Sequence, residues 1–410
     1  LLLAELTPFA FDRYIFRKDY ARISWESTGH NLNPTNWQWD YDGFQTNQIG
    51  HPYHGSILFS AFRTNGYSFW QSVPATFIGS YLWETFAENQ APAPNDFLNT
   101  GFGGIILGET TYRLAGKLVH NGSRGVRRQA AEVLALLINP MFGFNRILNR
   151  QWGRPEFGSR PDNTPVKLEF DGGLRQYDGI NSRLFSEKRY GLYGRVRLFY
   201  GDPTLEPGIP FSNISVVVEA GQDDSSAINV VTVYGSLTGW RLRSDKSRQT
   251  LVLSANYDYI HNSSFLYSAQ SLRLNLFSNF PLARQYSLAT SVGAGPVILA
   301  AVPNSYLFHT RNYDYGPGVS FNSSATLVVA NRFSGSVNFR GGWMFTLNGK
   351  ASDYFLHVIT GDLSARLIGR WSAGGEIGYF SLHGNYRHFN TIDKTYPYLR
   401  LSIRYNHFFL

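Results

Sequence analysis

The sequence predicts a membrane-spanning all-β barrel of about twelve antiparallel strands, preceded by an α-helical domain that plugs or caps the barrel. Three observations carry that expectation. From residue 165 to residue 410 apolar residues recur with period two, in segments long enough for a tilted span of about 9–11 residues. Those segments carry Tyr, Phe or Trp near their ends, as an interfacial aromatic girdle would. The composition is also unusual for a soluble enzyme: 43% hydrophobic, 16% charged and 16% aromatic, with 40 glycines. No uninterrupted apolar run approaches the roughly 18 residues of a membrane helix. The longest candidate, Ala130 to Phe144, is broken by Glu132, Asn139 and Pro140. A membrane role would therefore come from a barrel or from surface attachment, since lipid tolerates only backbones that satisfy their own polar groups.

The elements follow in order. The chain begins Leu1-Leu2-Leu3-Ala4-Glu5, without Met or a basic leader, and reads as processed at that end. Residues 1–50, rich in Trp, Tyr and Asn, read as an irregular segment. Residues 51–152 show helical spacing. Ser56 to Phe62 leads to a break at Asn65-Gly66, and Phe69 to Glu88 forms a second helix with Pro74 near its start. Ala91-Pro92-Ala93-Pro94 is a stop, with Asp96 as cap for a Gly-rich helix from Phe97 to Leu118. A fourth helix opens at Ser123-Arg124 and ends at Asn139-Pro140. Gly104 and Gly108, four apart, present a small-residue face for close helix packing.

After a loop from Gly153 to Thr164 the period changes. Leu192 and Val196 alternate with Arg195 and Arg197, Leu274 with Arg273, and Leu401 and Ile403 with Arg400 and Arg404. In a sandwich core those arginines would be costly, whereas a wet lumen accepts them. Arg195, Arg197, Arg273, Arg400 and Arg404 are therefore expected to face the lumen, with Leu192, Val196, Leu253, Leu274, Leu401 and Ile403 facing lipid. Turn signals fall near Asp178-Gly179, Asp202-Pro203, Asp223-Asp224, Asp245-Lys246, Asn262-Ser263, Asn279-Phe280-Pro281, Pro303-Asn304, Asn331-Arg332, Asn348-Gly349, Gly369 and Gly384-Asn385. They divide the barrel into twelve strands. A final strand ending in aromatics, through Tyr405 and Phe409, resembles the terminal signal read by the outer-membrane insertion machinery. It places both termini in the periplasm and makes Gly201 to Pro210 a long periplasmic turn. A bore this wide would not be filled by its wall alone, so either it conducts or something plugs it, with the helical domain as the obvious candidate.

Charge and cysteine exclude several classes. The formal charge of +8 is spread along the chain without a Lys/Arg block, so nucleic acid is not an expected partner. With no Cys, disulfides and thiolate metal sites are unavailable. The candidate chemistry lies in the helical part. His51 and His54 are three apart at a helix start, Glu84 and Glu88 four apart, and Glu109 precedes Arg113 by one turn. If the helices converge, His51, His54, Glu84, Glu88 and Glu109 could share a bundle core, where carboxylate–histidine clusters bind metals or move protons. The spacing matches no Glu-x-x-His or His-Glu-x-x-His element, no Gly-x-Ser-x-Gly elbow and no Walker lysine. The expectation is therefore structural: a Glu109–Arg113 ion pair, histidines held by local bonds, and neither metal nor cofactor.

His51-Pro-Tyr-His-Gly55, Arg63-Thr-Asn-Gly66, Gly79-Ser-Tyr-Leu-Trp-Glu84 and Gly108-Glu-Thr-Thr-Tyr-Arg113 occur in this order. Over His51 to Leu118 the chain resembles an uncharacterised family, a domain of unknown function in outer-membrane proteins of Bacteroidota. The resemblance implies a Gram-negative outer-membrane setting and a Bacteroidota-like source, and it supplies no activity. The expected function is thus a non-enzymatic outer-membrane barrel, acting in transport as a plugged channel or as a subunit of an envelope assembly. Its partners would be outer-membrane lipid and lipopolysaccharide, with other outer-membrane or periplasmic proteins in the assembly case. The alternative is a lipid- or cell-wall-acting enzyme using the His/Glu cluster.

Overall fold

The computed structural model describes residues 1–120, 123–154, 163–178, 189–222, 226–242, 247–262 and 265–409. They form two units, Leu1–Asn163 and Thr164–Leu410. The turn signals at Gly179, Asp223-Asp224, Asp245-Lys246 and Ser263, and most of the loop from Gly153 to Thr164, lie outside the described residues, as does the side chain of Phe409.

The first unit is helical: α1 (Leu2–Ala10), α2 (Trp25–Asn31), α3 (His51–Arg63), α4 (Phe69–Phe86), α5 (Pro94–Leu98), α6 (Gly104–Val119), α7 (Gly125–Ile138) and α8 (Pro140–Leu148). Among the described residues no helix is long and apolar enough to cross a membrane. Helix α4 starts as its sequence dictates. Ser68 accepts from the Gln71 N–H at 3.3 Å and Gln71 returns a bond to the Ser68 N–H at 2.9 Å, a reciprocal cap. Helices α3 and α6 cross at glycine. A Cβ on Gly104 would lie 2.4 Å from the Gly55 carbonyl carbon, and one on Gly108 would lie 2.8 Å from the Phe59 ring.

One local reading needs correction. Residues 1–50 are not wholly irregular. Ser24 caps α2 through a reciprocal bond with Ser27, a pairing weaker in sequence signal than Ser with Glu or Gln. The fourth helix, α7, ends at Asn139-Pro140 as expected, and Pro140 begins α8, since a proline at the first helical position loses no bond. Asn139 caps it, its side-chain oxygen accepting from the Phe142 N–H at 2.9 Å.

The second unit is a closed antiparallel barrel of twelve strands, each paired with its sequence neighbour and β1 with β12. The strands are β1 (Val166–Tyr177), β2 (Arg189–Tyr200), β3 (Ile214–Gly221), β4 (Ile228–Leu242), β5 (Arg248–His261), β6 (Leu266–Ala283), β7 (Tyr286–Phe308), β8 (Arg311–Val329), β9 (Phe333–Phe345), β10 (Ser352–Ile368), β11 (Trp371–Tyr386) and β12 (Ile392–Phe409). Three turn signals fall inside strands instead. Pro281 pairs with Ser287 near the end of β6, Asn304 belongs to β7, and Gly384 pairs with Tyr354 and Ile392 in β11.

Outer-face residues form apolar rows across strands. Leu192, Leu174 and Leu401 are consecutive partners in β2, β1 and β12, at 58%, 60% and 63% exposure. Val196, Leu274 and Ile403 are also exposed, and Leu253 is half-buried. An arginine at Leu401 should cost about 2–4 kcal/mol in lipid, read as reduced urea resistance of the folded barrel. Tolerance of that change, together with failure of Arg404→Leu, would mean that the two faces are reversed.

Candidate functional site

Two polar constellations stand out, one in each unit. In the helical unit, His51 opens α3, Glu84 sits in the last turn of α4 and Asp96 in α5. The segment Pro92-Ala93-Pro94 folds back after α4. There the Ala93 N–H donates to Glu84 Oε2 at 3.1 Å, and the Gln38 N–H donates to the Pro92 carbonyl at 3.0 Å. This fold-back brings ligand atoms of His51, Glu84 and Asp96 within 4.8 Å of one another. His51 Nε2 lies 3.3 Å from Asp96 Oδ1, and its Nδ1 lies 3.3 Å from the Thr100 hydroxyl. Glu84 and Asp96 are 3% and 5% exposed.

The remaining candidates do not join this group. Glu88 accepts from the Trp83 indole N–H at 2.7 Å. His54 faces the Trp83 ring, with centroids 4.5 Å apart, and lies 3.8 Å from Glu5. Glu109 accepts from Arg63 at 2.6 and 3.1 Å and from Arg113 at 2.8 Å. Its charge is thereby shared between two guanidiniums.

Burial governs the protonation of the acidic group. It pushes Glu84 and Asp96 well above the usual carboxylate range, and neighbouring carboxylates add to the shift. Burial raises Glu88 to about 7 and Glu5 to about 8. It lowers His51 to about 4 and His54 to about 3, so both imidazoles are neutral near pH 7. Sequence spacing missed Asp96 as a member, because a carboxylate at a helix start already has a reading as a cap. Thr100 and Glu5 carry no sequence signal that would single them out.

In the barrel, Arg195, Arg197, Arg273 and Arg400 line an interior cavity of about 420 Å³, and Arg404 lies on the same face of β12 as Arg400. Their partners are carboxylates on neighbouring strands or on strands two or three further round the barrel. Asp171 on β1 meets Arg195 at 2.7 Å, Arg197 at 3.0 Å and Arg404 at 3.3 Å. Glu376 on β11 meets Arg195 at 2.8 Å and Arg400 at 2.9 Å. Arg175 and Arg400 are direct cross-strand partners, an unfavourable pairing of like charges. Glu219 on β3 relieves it by accepting from both, at 3.2 and 2.6 Å. Arg273 pairs with Asp258 at 2.8 Å. The opposite wall of the cavity is rich in neutral polar side chains, with Asn256, Asn275, Ser291, Asn322, Ser324 and Asn338, and carries Arg340 3.6 Å from Asp258.

Beyond this layer side chains of the barrel reach across the bore. Phe265, between β5 and β6, contacts Phe380 of β11, on the far side of the barrel, with ring centroids 5.6 Å apart. Tyr354, Tyr386, Tyr396 and Tyr398 pack into the same cluster. The expectation that the wall alone would leave the bore unfilled is corrected at this level. Inward aromatics and a loop residue reach across it here.

A family described as a domain of unknown function (DUF3943) matches residues 36–141. The match takes in His51, Glu84, Asp96 and Glu109 and leaves the barrel outside. No curated protein matches the chain. Among solved structures, a KdgM porin is 10% identical with a TM-score of 0.28, over 58% of this chain and 98% of that one. An outer membrane channel from Pseudomonas putida is 9% identical with a TM-score of 0.33, over 62% and 98%. The outer membrane channel DcaP of Acinetobacter baumannii is 8% identical with a TM-score of 0.29, over 62% and 100%. The barrel assignment rests on the strand pairing above and not on these likenesses.

Proposed function

We propose that this chain is a non-enzymatic outer-membrane protein of the channel type, held closed at the Phe265–Phe380 constriction, with its helical unit acting as the plug or cap. The observation that carries this reading is a charged cavity of about 420 Å³ inside a closed barrel whose outer face is apolar. Such a barrel is stable in lipid and carries polar groups where only a solute or water would meet them. The connections support an orientation with both termini periplasmic. Four of the five connections after even-numbered strands, at residues 243–247, 284–285, 330–332 and 369–370, have two to five residues, the length expected of periplasmic turns. Residues 201–213 are then a long periplasmic connection, and both termini are periplasmic. Outer-membrane lipid and lipopolysaccharide are the partners this placement implies.

The enzymatic alternative has less support. Glu109 is clamped by two arginines, and His54 packs on Trp83 rather than beside Glu84. Neither is a free base, as proton transfer would require.

The test is conductance in planar bilayers. The full chain should insert and conduct little. Phe265→Ala with Phe380→Ala should open steps of measurable conductance, and removing residues 1–163 should raise open probability further. A barrel that inserts yet stays silent in all three forms would defeat the channel reading.

A further inference from the structure

Buried carboxylates in the helical unit fall into two kinds, and the difference points to a ligand. Glu109 and Glu132 have fully buried side chains, and each is met by two guanidiniums, Arg63 and Arg113 for the first and Arg128 and Arg146 for the second. Glu84 and Asp96 are buried nearly as deeply, yet among the described residues neither is met by Lys or Arg. The one basic side chain beside them is the imidazole of His51. Leaving two carboxylates in a dry site without a cation is costly, and such groups either take up protons or hold a metal.

We propose that His51 Nε2 and the carboxylates of Glu84 and Asp96 bind one divalent transition-metal ion, of the Zn²⁺ or Mn²⁺ class. Two donors on one tetrahedral ion, each about 2.0–2.1 Å from it, stand roughly 3.4 Å apart. The His51–Asp96 separation of 3.3 Å already has that value. The group as a whole spans no more than 4.8 Å, so the third donor needs a shift on the order of an ångström. One imidazole with two carboxylates is a mixed nitrogen and oxygen set, which suits zinc or manganese and offers nothing to thiophilic ions.

The surrounding bonds orient the donors as a metal would need. His51 Nδ1 lies 3.3 Å from the Thr100 hydroxyl, and in the tautomer that donates Nδ1–H there, the Nε2 lone pair faces Asp96. A histidine ligand is commonly fixed in this way through its other ring nitrogen. Glu84 is held by the Ala93 N–H on one oxygen, and Asp96 by the Asn95 side-chain amide at 2.7 Å. The neutral imidazole that burial favours is the form that ligates. Without an ion, the Nε2 lone pair would face a carboxylate oxygen, which a shared proton or a cation must separate.

The experiment uses the full chain in detergent micelles, stripped with chelator and then dialysed against Zn²⁺ or Mn²⁺. Elemental analysis should find one equivalent retained by the wild type and by His383→Gln, which removes an exposed His–Asp pair of the barrel. It should find none in Glu84→Gln or Asp96→Asn. X-ray absorption on the zinc-loaded wild type should show imidazole scattering with donors at about 2.0–2.2 Å, a readout that needs no variant to fold. The thermal midpoint of the wild type should also rise with free metal, as binding to the folded state alone requires. No stoichiometric metal in the wild type, absorption spectra without imidazole, or uptake that falls in His383→Gln and survives in Glu84→Gln would overturn the proposal.

Discussion

Glu132→Ala should destabilise the helical unit by about 3–5 kcal/mol. Glu132 joins α7 to α8. Arg146 donates to it at 2.8 and 3.0 Å, Arg128 approaches to 2.9 Å, and the Gly153 N–H adds a bond at 3.1 Å. The carboxylate is fully buried, and the two guanidiniums are nearly so. Its removal leaves two positive charges facing each other in a site that water does not reach. The damage lies in what remains rather than in what is lost, which gives the prediction a second arm. Replacing Arg128, Glu132 and Arg146 together by Met, Leu and Met should recover much of the stability, since apolar groups of similar volume need no partners. Hydrogen exchange of amides 125–148 in micelles reads both results. A loss below about 1 kcal/mol for Glu132→Ala would mean that the site is wet.

In the barrel, Asp171→Ala should have the largest effect of any single lumen change, about 3 kcal/mol or more against urea. This side chain, with no solvent exposure, serves Arg195, Arg197 and Arg404. Each arginine keeps one other acid, Glu376, Glu169 or Asp362. The loss is therefore shared among three pairs and should fall short of full collapse. Removing a negative charge also leaves the bore more positive. If current passes, reversal potentials in a salt gradient should move toward anion selectivity. An unchanged urea midpoint would show that the three arginines repack without Asp171.

Much of the barrel is legible because alternation reports which side of a strand a residue occupies. The parity of Leu192 and Val196 against Arg195 and Arg197 is a local property. Strand ends are less legible, for a reason particular to a wet interior. Asn304 reads as a turn residue, yet it lies within β7 and donates to Asp314 at 2.8 Å. A lumen tolerates Asn in mid-strand, so the usual turn signal loses force. Gly384 also reads as a break, but a Cβ there would stand 3.0 Å from the Tyr354 ring, so close packing accounts for it. The acidic partners of the arginines are hidden for another reason, since Asp171 meets Arg404, and Glu219 meets Arg400, only when β1 meets β12. The same limit applies to the helical cluster. His51 and Asp96 belong to different helices, and only the fold-back at Pro92-Ala93-Pro94 brings them together.

The seam between β1 and β12 also imposes an order in time. Arg195–Glu376 and Arg400–Glu219 each join residues 181 positions apart in the chain, and both bonds straddle the seam. Contacts that distant form late, because their loop-closure cost is met only after the intervening hairpins exist. Until then β1 and β12 are open edges able to pair with any other strand. The charged clasp therefore acts as a latch on a finished circle. It rewards joining the first strand to the twelfth, and it gives no reward to a ring that closes one hairpin early.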